Sequence, residues 1–169
     1  MKYTLLLVLL AQTSLSFASF EYQVVPLQDS DKDHIIAWFD SDREIYNRLS
    51  LSYYSHTKHY VNTASNNYKY LVAKRLQDAC IHGFVKYSFF RGTGIIEGLA
   101  VHQDVRGKGI GQALLSTVFK KHPKINQWGL FVDPENQPAI SLYTKNGFLP
   151  QVYFGDDTMN YMETSRYKE

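Results

Sequence analysis

From Phe20 onward, short runs of β-branched and aromatic residues alternate with longer stretches whose apolar positions recur at helical spacing, and turn formers separate them. Tyr22 to Leu27 reads as a first strand. Asp31 to Phe39 and Arg43 to Tyr60 read as helices, the first opened by acidic and polar residues that suit a helix N-terminus. Three strands follow in series, Tyr68 to Arg75, Ile81 to Phe89 and Gly94 to His102, divided by Gln77-Asp78 and by the turn Arg91-Gly92-Thr93-Gly94. Ile110, Leu114, Leu115, Val118 and Phe119 then mark one face of a helix over Ile110 to Lys121, which Pro123 stops. Gln127 to Val132 is a short apolar strand. Asn136 caps the next helix, Pro138 lies in its tolerated first turn, and Gly147 closes it in the left-handed conformation. Leu149 to Phe154 and Thr158 to Glu163 are two final strands joined across Gly155-Asp156-Asp157. The order is that of an α/β domain, with antiparallel strands first and strand–helix alternation after them.

The N-terminus departs from this pattern. Lys2, the apolar run Leu5 to Ala11 and the small residues Ser16, Ala18 and Ser19 have the layout of a Sec-type signal peptide. Gln12, Thr13 and Ser14 interrupt the run too early for a membrane-spanning helix. Residues 1–19 are therefore expected to be a signal peptide cleaved near Ala18, directing export to a periplasm or the medium, and residues 20–169 a single domain. An amphipathic extension packed on the domain is the alternative, with a cytoplasmic protein as its consequence.

Composition narrows the chemistry mainly by exclusion. A chain of 169 residues holds one domain with a substantial core, and its formal charge of +2 is spread among interspersed acids and bases. No nucleic-acid or membrane-surface partner is expected from that balance. Cys80 is the only cysteine, so neither an internal disulfide nor a cysteine zinc site is available, and a buried structural thiol is expected. His56 and His59 share a helical spacing but lack a third ligand, so no metal is expected. The 13 tyrosines and 10 phenylalanines either pack the core and sheet or line a cleft.

The segment Val101-His102-Gln103-Asp104-Val105-Arg106-Gly107-Lys108-Gly109-Ile110-Gly111 joins a strand to a helix through glycines. Glycine allows backbone N–H groups to converge on an anion, and the helix N-terminus behind it offers unsatisfied donors and a favourable dipole. Gly109 stands where a Walker loop needs Ser or Thr, and the spacing of a dinucleotide turn is absent. A pyrophosphate seat or a purely structural turn remains.

Arg106-x-x-Gly109-x-Gly111 resembles the Arg/Gln-x-x-Gly-x-Gly/Ala motif of the GNAT superfamily of N-acetyltransferases. Asn136-x-x-Ala139-x-x-x-Tyr143-x-x-x-Gly147-Phe148 resembles the family's second signature, in the right order and at a suitable separation. The resemblance is close over Ile81 to Phe148. It implies a mixed, mostly antiparallel six- to seven-stranded sheet, splayed between strands four and five, with helices on both faces. It also implies acetyl-CoA as co-substrate. Backbone groups of Leu99, Ala100 and Val101 would pair with the pantetheine. The amides of Arg106, Gly107, Lys108, Gly109, Ile110 and Gly111, with the charges of Arg106 and Lys108, would hold the diphosphate. Asn136 would hydrogen-bond the cofactor, and Ala139 would allow its close approach.

Tyr143 lies one helical turn after Ala139, on the same face, and would protonate the departing thiolate; the alternative is a tyrosine merely packed on the sheet. Glu97 interrupts an apolar strand, and strict alternation puts it on the face of Ile95, Leu99 and Val101. A carboxyl group partly withdrawn from water holds its proton more tightly, which suits a general base, although a structural or substrate-binding carboxylate is equally consistent. The acceptor is expected to be an amine, with Tyr53, Tyr54, Tyr153 and Phe154 as candidate walls and Glu97, Asp156 or Asp157 as candidate attractors. Direct acetyl transfer in a ternary complex is the leading function. A catalytically silent acyl-CoA-binding module is the alternative. The sequence does not specify the acceptor or the oligomeric state.

Overall fold

The computed structural model of the chain describes residues 22–41, 68–151 and 159–165. The expected leader over Met1 to Ser19, the helix expected over Arg43 to Tyr60, and Tyr153, Phe154, Asp156 and Asp157 lie outside the described residues.

The strands and helices are β1 (Tyr22–Pro26), α1 (Lys32–Ser41), β2 (Lys69–Arg75), β3 (Ile81–Phe90), β4 (Thr93–Val101), α2 (Ile110–Lys121), β5 (Gln127–Val132), α3 (Gln137–Lys145), β6 (Leu149–Gln151) and β7 (Asn160–Ser165). Single turns of 3-10 helix precede α1 at Asp29–Asp31 and α2 at Gln103–Val105. The seven strands form one sheet in the order β1-β2-β3-β4-β5-β7-β6. All neighbours run antiparallel except β4 and β5, which are parallel. The mixed, mostly antiparallel sheet expected from the sequence is therefore present.

Alternating side chains give this sheet two apolar faces, and a helix layer covers each. On one face Leu71, Ala73, Val85, Tyr87, Ile96, Trp128, Leu130 and Val132 pack beneath Ile110, Leu114, Leu115, Val118 and Phe119 of α2, with Tyr143 and Phe148 completing the cluster from α3 and its end. On the other, Val72, Phe84 and Ala100 meet Ile35, Ile36, Trp38 and Phe39 of α1. The start of α1 is tied to the sheet by Asp31, which is buried, accepts from the Gln28 N–H at 2.9 Å and pairs with Lys74 of β2 at 2.7 Å.

Two turns show how local chemistry sets the pairing. Arg91 and Gly92, with φ of 49° and 86°, form a two-residue hairpin loop between the paired Phe90 and Thr93. Two left-handed residues in succession match the twist of the flanking strands, so β4 begins one residue earlier than the sequence pattern indicated. The β2–β3 connection places Cys80 on the surface, with its N–H on the Asp78 carboxylate at 3.1 Å. The expectation of a buried thiol is thus corrected: the residue belongs to a tight exposed turn rather than to the strand behind it.

Where β4 joins β5, Gly94 faces Trp128, and a Cβ there would stand 2.4 Å from the fully buried indole. Gly94→Ala is expected to lower stability by about 1–3 kcal/mol, the usual cost of overpacking against a ring that cannot swing away. Urea unfolding checks this, and an unchanged midpoint would contradict it.

Candidate active site

β4 and β5 are paired only where Gly94 to Ile96 meet Trp128 to Leu130. Beyond Ile96, the edge of β4 that faces β5 has no strand partner among the described residues. The His102 N–H donates to the His82 carbonyl at 2.9 Å. Antiparallel ladders alternate their polar groups from side to side, so Ala100 directs its own toward Phe84 of β3. Leu99 and Val101 direct theirs into the opening. Of the three residues expected to offer backbone groups there, Ala100 is thus committed to the sheet.

At the end of β4 the chain turns through Gln103–Val105 and enters the glycine loop. Buried Val105 anchors the turn, while Arg106 to Gly109 are exposed. Gly107 and Gly109 have φ of 77° and 80°, a conformation that carries little penalty only for glycine, and nothing lies within 4 Å of where a side chain would start. Gly109 is the N-cap of α2 and supplies no capping side chain, so the first N–H groups of the helix receive none from it. Arg106 donates from Nε to the Val101 carbonyl at 3.1 Å, and Lys108 donates from Nζ to the Asp104 carbonyl at 3.3 Å. Both cations therefore brace the loop as well as charging it. Ile110, the first residue of α2, is buried. Gly111 allows α3 to come close: a Cβ there would be 3.0 Å from Leu142 and 3.6 Å from Leu99.

α3 is fixed to that same end of α2. The Asn136 side chain accepts from the Ala139 N–H at 3.3 Å, the capping geometry its position predicted. Gln112 and Asn146 exchange two amide hydrogen bonds of 2.8 Å, and Asn146 also donates to the Leu142 carbonyl at 2.8 Å. Neither residue was singled out from the sequence, because the clasp joins positions far apart in the chain. Gly147, with φ of 85°, ends the helix as expected. Ala139 and Tyr143 both face the α2-side core. The Tyr143 ring stands edge-on to Phe148, with centroids 5.8 Å apart, and burial pushes its hydroxyl up to about 12. The phenol keeps its proton at neutral pH and is a donor.

Glu97 occupies a β-bulge. Lys86 pairs with Gly98 and Tyr87 with Ile96, which leaves Glu97 as the extra residue on β4. The inserted residue breaks the alternation. Ile96, Leu99 and Val101 pack on the α2 side, while Glu97 turns to the α1 side and accepts a 2.6 Å hydrogen bond from Ser88 Oγ. The expectation that Glu97 shares a face with Leu99 and Val101 is corrected accordingly; it shares one with Ile95 and Ser88, which are partners across β3 and β4. Lys86, also on this face, is buried and close enough for the Glu97 charge to act on it. Its signal in the sequence was the same as that of Glu97, a charge inside an apolar strand, but only the register brings the two together.

His56 and His59 lie outside the described residues, among which no group of three His, Cys, Asp or Glu side chains is placed to hold a metal.

These features match known proteins in sequence family and in fold. A model of the acetyltransferase (GNAT) family matches residues 32–148. No curated protein sequence matches the chain significantly. A GNAT-family acetyltransferase from Staphylococcus aureus is similar at a TM-score of 0.71 and 16% identity, over 87% of this chain and 100% of that one. The ribosomal-protein-S18-alanine N-acetyltransferase of Escherichia coli is similar at 0.67 and 18%, over 88% and 96%. The PaiA N-acetyltransferase of Thermoplasma acidophilum, solved in complex with coenzyme A, is similar at 0.67 and 21%, over 86% and 99%. At these identities the likeness is one of fold. With the family model spanning the loop, the bulge and the capped helix together, the chain belongs to the GNAT family of acetyltransferases.

Proposed function

We propose that this chain moves an acetyl group from acetyl-CoA directly to a primary amine, with both substrates bound at once. The observation that carries the reading is the divergence of β4 from β5 at the uncapped N-terminus of α2, with Glu97 turned to the α1 side of the sheet. Leu99 offers its backbone groups and Val101 its N–H along the opening, the Val101 carbonyl being held by Arg106, and the loop from Arg106 to Gly111 offers amides and cations to a diphosphate. In the transfer the amine nitrogen bonds to the thioester carbonyl carbon and the carbon–sulfur bond breaks. Glu97 takes a proton from the amine, and Tyr143 supplies one to the departing sulfur. Cys80 sits in the exposed β2–β3 turn and takes no part.

The test is release of CoA thiol from acetyl-CoA in the presence of a panel of small amines, aminosugars, peptides and lysine-bearing proteins. Amine-dependent release supports transfer. Acetyl-CoA binding with no release for any amine would leave the silent acyl-CoA-binding module instead.

The diphosphate seat has its own test in a matched pair of glycines. Gly109 and Gly92 have φ of 80° and 86°, and a Cβ at either would meet nothing within 4 Å. Alanine at either position should cost about 1–2 kcal/mol of backbone strain. Only Gly109→Ala is expected to raise the KM for acetyl-CoA, by roughly tenfold, a loss of about 1.4 kcal/mol in binding. Equal KM values for the two variants would remove the loop from the binding site.

For location we propose export directed by residues 1–19. Acetyl-CoA is an intracellular donor, so an exported enzyme would need to act inside a host or target cell. N-terminal sequencing from the native source distinguishes a start near Ser19 or Phe20 from an intact Met1 on a cytosolic protein, which would refute export.

A further inference from the structure

β4 leads into α2 and β5 leads into α3, so the parting of the two strands beyond Ile96 and Leu130 divides this end of the molecule into two halves. The glycine loop and the first turn of α2 belong to one half, and Asn136, Ala139 and Tyr143 belong to the other. A single ligand lying in the opening has to reach both, so the spacing of the halves decides whether it can. At the closed end apolar packing sets that spacing. There Phe119 of α2 stands 5.3 Å from Trp128 of β5 and 6.3 Å from Phe148, between ring centroids. At the open end no strand pairing between β4 and β5 does the same among the described residues.

What spans the open end is a contact between the two helices. Gly111 is where it is closest, since a Cβ there would stand 3.0 Å from Leu142 of α3, 3.6 Å from Leu99 and 3.8 Å from Val101 of β4. Beside it, Gln112 and Asn146 exchange two amide hydrogen bonds of 2.8 Å, the side-chain hydrogen bonds that join α2 to the end of α3 among the described residues. Each amide has a further partner on its own helix, which fixes its orientation. Gln112 donates from Nε2 to Ser116 Oγ at 3.1 Å, and Asn146 donates from Nδ2 to the Leu142 carbonyl at 2.8 Å. The Asn146 N–H also donates to the Tyr143 carbonyl at 2.9 Å. The clasp therefore fastens the first turn of α2, directly behind the glycine loop, to the turn that carries Tyr143.

Gln112 is exposed and Asn146 half-buried, so the pair does little for the core. Two neutral hydrogen bonds of this kind hold a spacing more than they hold a fold. We propose that Gln112 and Asn146 are positioning residues for acetyl-CoA: their paired amides keep the opening at the width at which one molecule reaches both the Arg106 to Gly111 loop and the Tyr143 turn. Without the clasp the ligand itself has to order the two halves, and that ordering is subtracted from its affinity. The inference rests on the acetyl-CoA reading given above, and the experiment separates the two.

The experiment compares the dissociation constants of acetyl-CoA and ADP, by calorimetry, for the unaltered chain and for Gln112→Met, Asn146→Leu, their combination and Ser116→Ala. ADP carries a diphosphate but no pantetheine, so it engages only the α2 half. Gln112→Met and Asn146→Leu should each weaken acetyl-CoA by about tenfold, the scale of two neutral hydrogen bonds, and leave ADP unchanged. The combined variant should be no weaker than either alone, because one substitution already breaks the pair. Ser116→Ala keeps the clasp and should bind both ligands as the unaltered chain does. Acetyl-CoA affinity unmoved in both single variants overturns the proposal. So does an equal loss for ADP, which would place the effect in the loop itself, and so does an equal loss in Ser116→Ala. An unaltered chain that binds neither ligand removes the acetyl-CoA reading and the clasp with it. An unaltered chain that binds acetyl-CoA no better than its clasp variants do removes only the role of Gln112 and Asn146.

Discussion

Replacing Tyr143 with phenylalanine is expected to lower kcat roughly ten- to a hundredfold or more, with acetyl-CoA binding retained. The substitution removes one oxygen and keeps the ring that packs in the α2-side core against Phe148. Burial holds the phenol at about 12, so the proton is in place throughout the neutral range and the side chain is able to donate it rather than to accept one. The same burial has a stability consequence whose sign is fixed. An unfolded tyrosine titrates near 10.0 and the folded one near 12, so the folded chain holds a proton that the unfolded chain releases between those values. The contribution is complete below about pH 10 and falls away by roughly 3 kcal/mol as pH rises toward 12. Tyr143→Phe should remove that part of the alkaline loss. Tyr22 and Tyr87, also raised by burial, should leave a remainder of the same sign. Single-turnover thiol release, calorimetric binding and urea midpoints at rising pH measure the three effects. An unchanged kcat refutes the assignment of Tyr143 as the acid.

What the sequence made legible is what periodicity alone determines. α2 over Ile110–Lys121 and β5 over Gln127–Val132 match their expected spans, because in each the apolar positions follow one unbroken period. The caps of α3 were equally plain, since Asn136 and Gly147 act within a few residues of themselves. Glu97 shows where this kind of reading stops. Alternation along one strand cannot reveal a bulge, which is a mismatch between two strands, and a single inserted residue moves a side chain to the other face of the sheet. The same limit applies to β7, which enters between β5 and β6 although it comes last in the chain. The Gln112–Asn146 clasp and the Ser88–Glu97 hydrogen bond belong to this class too. Each joins positions that only the folded topology makes neighbours. The second signature pointed to Tyr143 and a charge inside an apolar strand pointed to Glu97, while the register supplied the surroundings of Glu97.

Replacing Glu97 with glutamine should have the largest effect, and its dependence on pH separates a base from a structural carboxylate. Glutamine keeps the shape and can still accept from Ser88, whose 2.6 Å hydrogen bond holds the present side chain in place. It cannot take up a proton. An alkyl amine with a pKa near that of lysine, about 10.4, arrives almost wholly as the ammonium ion at pH 7, with no lone pair to attack a carbonyl. The transfer rate at neutral pH should therefore fall by about a hundredfold or more, within the span of general base catalysis. As pH rises toward the amine's own pKa, more of the acceptor arrives already deprotonated. The deficit of Glu97→Gln should shrink in step, and the pH dependence of transfer should move to the alkaline side. A carboxylate that only braced the bulge would behave differently, since a distorted site loses rate by the same factor at every pH. Transfer rates from pH 6 to pH 10 with one simple amine decide between these outcomes. If both the rate and its pH dependence are unmoved, Glu97 is not the base, and the proton must leave the amine by another route.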